Sequence, residues 1–307
     1  MYENGKTTVV IVSYNTRNLL RECLGSFLAT QTGEYEIWVV DNNSRDGSAD
    51  MVEALFPSVR LVRSQENLGF GKANNLVVLQ TKTTYVMLAN PDIVFTEDVL
   101  GPLRCYLESH SRVGVVGPRI ASPDGSLQLS CERFPSLAYE LAWQVRSTLL
   151  GRMVGAEAII RKVRMEDYDH LQARPVEFLW ATCWLLRREL VVKQGLFDES
   201  FKMYDEDLDF CKRIARSQWE IHYCPEATLT HIGGQSSEPA EKQVLMRRGR
   251  RAFYRKHHGI LYAGLCRLLM AALDSARCVK HAVLALVGRN RREHWERAVA
   301  SAMLARL

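Results

Sequence analysis

Short apolar runs alternate with helical patterns over roughly the first 120 residues, and this alternation restricts the possible folds more than any other feature. The runs are rich in Val and Ile, as is typical of strands buried on both faces in a parallel sheet. They cover 7–13, 35–41, 59–64, 84–90 and 113–118, with helical patterns at about 16–30, 45–56, 70–80 and 96–110. The alternation predicts an α/β fold: a mostly parallel central sheet with helices on both faces.

Composition sets broad limits on the class of protein. The 307 residues are 47% hydrophobic, enough for one large domain or two of moderate size. The net charge of +5 is mild for this length, so we expect no nucleic-acid partner. Eight cysteines without a CxxC pair indicate buried free thiols in a reducing compartment. The chain enters its first strand with no secretory signal ahead of it, so we expect it to be cytoplasmic.

A cluster of carboxylates follows at 201–213, where the chain reads FKMYDEDLDFCKR. Asp205, Glu206, Asp207 and Asp209 lie within a stretch of five positions, 205–209. Neighbouring like charges raise each other's pKa unless a cation, a donor or water offsets them. Three interpretations are open: a solvated helix start, a metal site, or a catalytic base beside a substrate.

Polar side chains end two of the predicted strands. Asp41 ends the second, where its carboxylate can accept a hydrogen bond from N3–H of uracil or thymine; alternatively, Asp41 and Ser44 only cap the next helix. Asn90 and Asp92 end the fourth. One carboxylate with substrate phosphates and water is a common Mg²⁺ site, although a turn Asp often satisfies only its own backbone. Ser44 and Thr96 are the predicted N-caps of two helices.

Two further segments offer binding groups. ENLGFGKANN (66–75) brings Asn67, Gly71 and Asn74 to a predicted helix start, where glycine permits close approach and the helix N-terminus attracts phosphate. Such turns are also common without any ligand. His231 follows the last predicted strand, where it can ligate a metal, bind a diphosphate, or serve a purely structural role.

These segments together resemble a known enzyme family. The motifs are VVIVSYN, VVDNNSRDGS, NLGFGKANN, LANPD, GLFDESFKMYDEDLDFCKR and HIGGQS, spread over about residues 7–237. In this order they resemble the family 2 inverting glycosyltransferases with the GT-A fold. The resemblance is strongest to the rhamnosyltransferase-like branch, which builds O-antigen, exopolysaccharide or cell-wall linker glycans. It implies a nucleotide-sugar donor, with dTDP-rhamnose as the best guess, and Mg²⁺ or Mn²⁺ as cofactor. The implied acceptor is a glycan, free or linked to polyprenyl diphosphate.

The resemblance also implies roles for individual residues. Asp207 corresponds to the general base, supported by Glu206. Asp92 occupies the last position of the metal-binding DxD motif, whose first position here is Asn90, and His231 is the second implied metal ligand. The implied nucleotide-sugar-binding residues are Ser13, Asn15, Asp41, Asn67, Gly71, Asn74 and Asn90.

The sequence also bears on three alternative functions. A sugar-nucleotide pyrophosphorylase would need a glycine-rich basic loop after the first strand, where this chain reads SYNTRNLLREC. A non-catalytic partner subunit would tolerate loss of Asp92 or Asp207, and both are present. A UDP-linked galactofuranose, hexose or N-acetylhexosamine donor stays open, because Asp41 can pair with uracil as well as thymine.

The predicted organisation is a GT-A domain over residues 1–240, with a nucleotide-sugar half (1–118) and an acceptor and catalytic half (119–240). Within the second half, Arg119, Asp124 and Arg133 are candidates to meet an acceptor phosphate. The alternative is a β-hairpin with a DG turn and solvated arginines.

Residues 241–307 are predicted to form a basic amphipathic helical tail. Its apolar face contains Leu261, Leu265, Leu268, Leu269, Ala272, Ala276, Val279, Val283 and Leu286, while charges interrupt the run too often for a transmembrane span. Basic flanks favour an anionic membrane surface, which would place the enzyme peripherally on the inner face of the cell membrane. Packing on its own domain or on a second subunit is the alternative, so an oligomer is possible.

Overall fold

The computed structural model describes residues 3–233, 239–287 and 290–306. The chain forms two compact units. Unit 1 comprises Met1–Phe134 and Arg164–Ser236, and unit 2 comprises Pro135–Val163 and Ser237–Leu307. Residues 135–163, which we had included in the acceptor half, therefore belong to the same compact unit as the C-terminal helices.

In its described residues, unit 1 contains the strands and six helices. The strands are β1 (Glu3–Ser13), β2 (Tyr35–Asp41), β3 (Arg60–Arg63), β4 (Thr83–Ala89), β5 (Ile93–Val94), β6 (Val113–Ala121), β7 (Leu127–Gln128), β8 (Cys131–Glu132), β9 (Arg174–Pro175), β10 (Phe178–Leu179), β11 (Cys183–Arg187) and β12 (Glu220–His231). The helices of the whole chain are numbered together: unit 1 has α1 (Arg17–Thr30), α2 (Ser48–Leu55), α3 (Phe70–Val78), α4 (Leu100–Ser109), α8 (Arg188–Gln194) and α9 (Glu206–Ile214), and unit 2 has α5 (Leu137–Val145), α6 (Leu149–Met153), α7 (Ala156–Val163), α10 (Pro239–His258), α11 (Ile260–Val287) and α12 (Arg291–Ala305).

The main sheet has the strand order β3-β2-β1-β4-β11-β6-β12-β5, with β7 paired to β6 and β9 to β12. The pairs β2–β3, β1–β2, β1–β4 and β6–β12 are parallel, which confirms the predicted mostly parallel sheet. The inward residues of β1, including Val9 and Ile11, are fully buried. They pack with Leu20, Leu24 and Phe27 of α1, which recur at helical spacing.

One strand interrupts the predicted parallel arrangement. β11 lies between β4 and β6 and is antiparallel to both, so the five predicted strands of the alternating region do not form one continuous parallel set. β12 is a single long strand with an irregularity between Cys224 and Thr228. The predicted hairpin after β6 is present: Ser122 donates to Ser126 and the turn contains Gly125.

The predicted N-caps are wrong. Helix α2 begins after Gly47, and α4 begins after Val99 rather than near Thr96. The start of α4 is instead satisfied by the buried side chain of Gln31, whose Oε1 accepts hydrogen bonds from the N–H groups of Val99 and Leu100, each at 2.9 Å. This distant side chain supplements the local acceptor at Asp98, and such a partner leaves no signal next to the helix in the sequence.

The structure predicts that Gln31→Ala lowers the free energy of unfolding by about 1–3 kcal/mol, because two helix N–H groups lose their buried acceptor. Urea unfolding measures this directly. Gln80→Ala is the matched control, since the Gln80 amide is exposed and bonds only to the Leu76 carbonyl oxygen. Equal effects of the two substitutions would contradict the capping role of Gln31.

Unit 2 is entirely helical within the described residues. Glu140 of α5 accepts a hydrogen bond from Arg250 at 2.6 Å and another from the Tyr254 hydroxyl at 3.1 Å, both on α10. Asp274 of α11 is fully buried and pairs with Arg247 at 2.8 Å. Buried charges are stabilised only when paired in this way, so these contacts specify how the helices pack.

Two predictions that bear on the chain's environment can be compared with the structure. All eight cysteines are free thiols; six are buried, whereas Cys105 is exposed and Cys278 is half-buried. Among the helices of the described ranges, none combines the length and the apolar character that crossing a membrane requires.

Candidate active site

Parallel strands bring the predicted polar residues to one edge of the sheet. Ser13 and Asp41 are aligned partners at the ends of β1 and β2, and β4 ends at Ala89, one residue before Asn90. Because β11 is antiparallel, its start at Cys183 lies at this same edge. His231 ends β12, which is parallel to β6. The edge is therefore the carboxyl end of the parallel strands, where ligands of open α/β sheets bind.

Asp41 is buried, and only one of its two carboxylate oxygens has a hydrogen-bond partner among the described residues. Oδ2 accepts a hydrogen bond from Ser44 N–H at 3.1 Å, whereas Oδ1 is buried with no hydrogen-bond partner among the described residues. This contact lies in the turn that follows β2, before α2 begins, and it accounts for one oxygen. The other is an acceptor that a ligand's N–H group can satisfy.

The turn after β1 contains Ser13 and Asn15. The Ser13 hydroxyl bonds to the Thr16 hydroxyl at 2.8 Å. Asn15 has φ of 53° and is tied to the turn after β2, accepting from Arg45 N–H at 2.8 Å and donating its own N–H to Ser44 Oγ at 2.9 Å. A cleft of about 270 Å³ opens beside this turn, lined by Asn15, Thr16, Arg17, Asn18, Leu19 and Asp46.

The glycine-containing loop before α3 is held by Asn42, a residue that the sequence analysis did not single out. The Asn42 side chain accepts from Leu68 N–H at 2.9 Å and donates to the Gly69 carbonyl oxygen at 3.2 Å. Asn67 accepts from Gly69 N–H, and Asn74 donates to the Phe70 carbonyl oxygen. The contacts that the structure gives Asn67 and Asn74 are thus within the loop and helix themselves.

The same loop lies against the acidic segment. Gly69 has φ of 77°, and a Cβ there would overlap the carbonyl oxygen of Lys202. A Cβ on Gly71 would lie 3.1 Å from Phe197 Cβ and 3.7 Å from Glu206 Cγ. Glycine at these positions therefore permits the loop before α3 and the acidic helix start to pack together.

The acidic segment turns sharply into α9. Tyr204 and Asp205 are both left-handed, with φ of 66° and 64°. Asp207 then lies in the first turn of the helix, where its Oδ1 accepts from Leu208 N–H at 2.8 Å and its Oδ2 from Ala181 N–H at 3.3 Å. Ala181 lies just before β11, so this hydrogen bond holds the Asp207 carboxylate at the ligand-binding edge.

The four carboxylates have different environments. Asp209 is fully buried and pairs with Arg213, four residues further along α9, at 3.0 Å. Burial raises the pKa of Asp207 to about 6, with a further contribution from the charge of Asp205. Burial raises the pKa of Glu206 well above its usual range, and the charge of Asp207 adds to this. The sequence predicts that partial burial and the charges of Glu206 and Asp209 raise the pKa of Asp207; in the structure burial is the largest cause, and the charge that contributes is that of Asp205.

Asp92 and His231 form the candidate metal site. Asp92 Oδ2 lies 3.3 Å from His231 Nε2, and Asp92 Oδ1 is buried with no hydrogen-bond partner among the described residues. Gln128 donates its amide N–H to the His231 carbonyl oxygen, so its Oε1 accepts from the ring Nδ1–H at 2.8 Å. In the neutral ring this leaves the Nε2 lone pair facing the carboxylate, an arrangement that a bound cation stabilises.

The residues present fit a divalent cation that shares its coordination with a ligand. In the described part of the chain, no group of three or more His, Cys, Asp or Glu side chains is arranged to hold a metal by itself. One carboxylate and one imidazole leave positions for phosphate oxygens and water, which is how Mg²⁺ is usually held in nucleotide sites.

Comparison with known proteins identifies the class. The fold is that of the GT-A glycosyltransferases, to which its structural neighbours belong. The chain belongs to glycosyl transferase family 2: the family model matches residues 8–194, more than half of its length. This confirms the family that the motifs predicted, and it identifies the protein as a glycosyltransferase enzyme.

Particular relatives are rhamnosyltransferases. The chain is 30% identical over 240 residues to the N-acetylglucosaminyl-diphospho-decaprenol L-rhamnosyltransferase of Mycobacterium tuberculosis, covering 75% of this chain and 76% of the relative. It is 26% identical over 171 residues to rhamnosyltransferase WbbL of Escherichia coli K12, covering 53% and 60% of the two chains.

Solved structures support the fold. The mannosyltransferase PcManGT of Pyrobaculum calidifontis, solved with GDP-Man and Mn²⁺, superposes with a TM-score of 0.57 at 16% identity, covering 98% of this chain and 85% of that one. Residues 1–349 of TarS from S. aureus give a TM-score of 0.52 at 16% identity, covering 98% and 80%.

The close approach at Gly69 yields a prediction. Gly69→Ala should lower both stability and glycosyl transfer, because the added methyl group displaces Lys202 and the segment that leads to Asp207. Gly195→Ala is the matched control: Gly195 has a similar backbone conformation, with φ of 69° and ψ of 161° against 77° and 177° at Gly69, but open space around its Cβ position. We expect the control to cost about 1–2 kcal/mol from backbone strain alone and to keep its turnover. Urea unfolding and donor turnover measure the two effects; equal losses in both variants would contradict the packing role of Gly69.

Proposed function

We propose that the chain transfers L-rhamnose from dTDP-rhamnose to a hydroxyl of a lipid-linked glycan, by single displacement with inversion. The observation that carries the proposal is the Asp207 carboxylate: it is held by two backbone N–H groups at the ligand-binding edge, with a pKa near 6. The similarity to a rhamnosyltransferase that acts on a decaprenol-linked substrate supports the sugar and the class of acceptor.

The donor lies along the sheet edge in this proposal. The free Oδ1 of Asp41 accepts N3–H of the thymine ring, and Ser13 and Asn15 lie at the end of the neighbouring strand. From β2 across β1 and β4 to β11 there are three strand spacings, about 14 Å in all. This length suits a nucleoside diphosphate sugar whose base lies near Asp41 and whose sugar lies near Asp207.

Asp92 and His231 come from different strands of the sheet. Asn90 and Asp92 follow the end of β4, whereas His231 ends β12, where it pairs with Ile93 of β5. The two side chains would hold a divalent cation, which supplies positive charge for the departing diphosphate when bound. Gln128 keeps the His231 ring oriented with Nε2 available. Asn90 adds a polar side chain at the same turn.

Asp207 acts as the general base. Its carboxylate takes the proton from the acceptor hydroxyl while the hydroxyl oxygen attacks the anomeric carbon, and the bond to the diphosphate oxygen breaks. A pKa near 6 leaves Asp207 ionised at neutral pH and a stronger base than an ordinary aspartate. The pKa of Glu206 lies above its usual range, so Glu206 retains its proton more readily than an ordinary glutamate. Its side chain packs against Gly71.

A UDP-sugar donor is the second candidate, because the Asp41 acceptor pairs equally with N3–H of uracil. The difference between the two donors rests on the sugar pocket and on the base methyl group. The same experiment distinguishes them.

We expect Asp207→Asn to abolish turnover of the preferred donor. Purified protein is incubated with dTDP-rhamnose or a set of UDP-sugars, with and without Mg²⁺ or Mn²⁺ and with a polyprenyl-diphosphate glycan acceptor, and nucleoside diphosphate release is followed. For the active protein, kcat/KM should fall about tenfold per pH unit below pH 6, as Asp207 becomes protonated. Asp50→Asn, at an exposed carboxylate on α2, is the charge control.

Stability separates loss of catalysis from loss of fold. The folded pKa of Asp207 is raised from 3.8 to about 6, so its ionisation lowers stability as the pH rises through that range. Asparagine removes this cost but offers only one acceptor oxygen to the two N–H groups, so the two effects oppose each other and Asp207→Asn should melt within a few degrees of the parent protein at pH 7.5. Turnover that survives in a folded Asp207→Asn protein would refute the assignment of the base.

Asp205→Asn tests the electrostatic part of the proposal. The Asp205 charge raises the pKa of Asp207, whereas asparagine tolerates the left-handed conformation at φ of 64° and carries no charge. We predict that the acidic limb of the kcat/KM profile moves to lower pH while turnover at pH 7.5 is retained. An acidic limb that stays in place would show that the limb reports another group.

A further inference from the structure

Helix α11 has two apolar faces. One face packs within unit 2 and contains the buried residues Ala263, Cys266, Met270 and Ala285. On the opposite side of the helix, eight apolar residues recur at spacings of three and four. This exposed stripe of α11 consists of Leu261, Leu265, Leu268, Ala272, Ala276, Val279, Val283 and Leu286.

The stripe is exposed along its whole length. Leu261 is 90% exposed, Leu268 is 70% exposed and Leu286 is 74% exposed. At 1.5 Å per residue the stripe is about 38 Å long, and the charged residues of α11 lie outside it. A continuous exposed apolar surface of this size marks an interaction site rather than ordinary surface composition.

Other helices of unit 2 expose apolar side chains as well. On α12, Trp295, Val299 and Met303 are exposed at spacings of four, so they share a face of that helix. On α6, Leu149 and Met153 are 74% and 77% exposed. Tryptophan is favoured where apolar and aqueous environments meet, because its ring is apolar and its N–H is polar.

Charge decides between the two partners that such a surface can take. Residues 241–307 contain 15 Lys and Arg against 4 Asp and Glu, a net charge of +11. The whole chain has 40 and 35, so residues 1–240 contain 25 and 31, a net charge of −6. A second copy of the tail would bring like charge to the stripe, whereas an anionic bilayer brings the opposite charge.

We infer that the exposed stripe of α11 binds the surface of an anionic phospholipid bilayer. Helix α11 would then lie in the headgroup region, with the basic residues beside it neutralising lipid phosphates. Arg267 and Lys280 are exposed on α11 outside the stripe, and Arg255 is exposed in the last turn of α10. An amphipathic helix with a basic polar side lies in the interface in this way. The inference goes beyond the proposed function and does not depend on the donor, the acceptor or the base.

Vesicle cosedimentation of the full chain tests the inference. Vesicles of phosphatidylcholine alone are compared with equimolar phosphatidylcholine and phosphatidylglycerol, at low and high salt. We expect binding to the anionic vesicles that weakens with salt, as basic side chains contribute. The double variant Leu265→Glu/Leu268→Glu should bind at least about tenfold more weakly, because two apolar contacts are lost and negative charge is added. Glutamate is a good helix former, so the exposed positions tolerate it.

Leu79→Glu is the matched control, since Leu79 is a 67% exposed leucine on unit 1 and should not affect vesicle binding. Absence of binding to anionic vesicles would overturn the inference, and so would equal binding of the double variant. Sedimentation velocity without lipid adds a third overturning outcome: a dimer that the double variant dissociates would make the stripe a subunit interface. Vesicle binding is measured without donor or acceptor, so its failure leaves the proposed function untouched.

Discussion

The arrangement of the site depends on the register of the strands β2, β1, β4 and β11. Parallel pairing aligns Ser13 with Asp41, and β4 ends at the same edge. The antiparallel pairing of β11 with β4 adds the start of β11, and with it the Ala181 N–H that orients Asp207. A shift of one residue in any of these pairs would turn every side chain of that strand to the other face. The candidate site therefore follows from backbone pairing before any side chain is considered.

Much of this was predictable from the sequence. The period of the apolar runs predicted β1, β2, β3, β4 and β6 within a few residues, and the motif order predicted the family. Local patterns carry such information because burial on both faces imposes it on every residue of a strand. The antiparallel placement of β11 was not predictable, because its apolar composition is the same in either direction.

The unpredicted features share a physical reason: each depends on partners that are distant in the chain. Gln31 caps α4 from 68 residues away, and Gln128 orients His231 across 103 residues. The side-chain amide of Asn42 holds the loop at Gly69, 27 residues further along the chain. The motif drew attention to the neighbouring Asp41 instead. The roles of Asp207, Asp92 and His231 stay predictions.

The raised pKa of Glu206 has a consequence for the proposed ligand rather than for the base. The nucleoside diphosphate donor proposed above is an anion, and it would approach an edge that contains the carboxyl groups of Asp41, Asp92 and Asp207. With its pKa raised by burial, Glu206 favours the neutral form and adds less negative charge to that field. The buried position of one carboxyl group thus lowers the electrostatic work of bringing an anionic substrate into an acidic cleft.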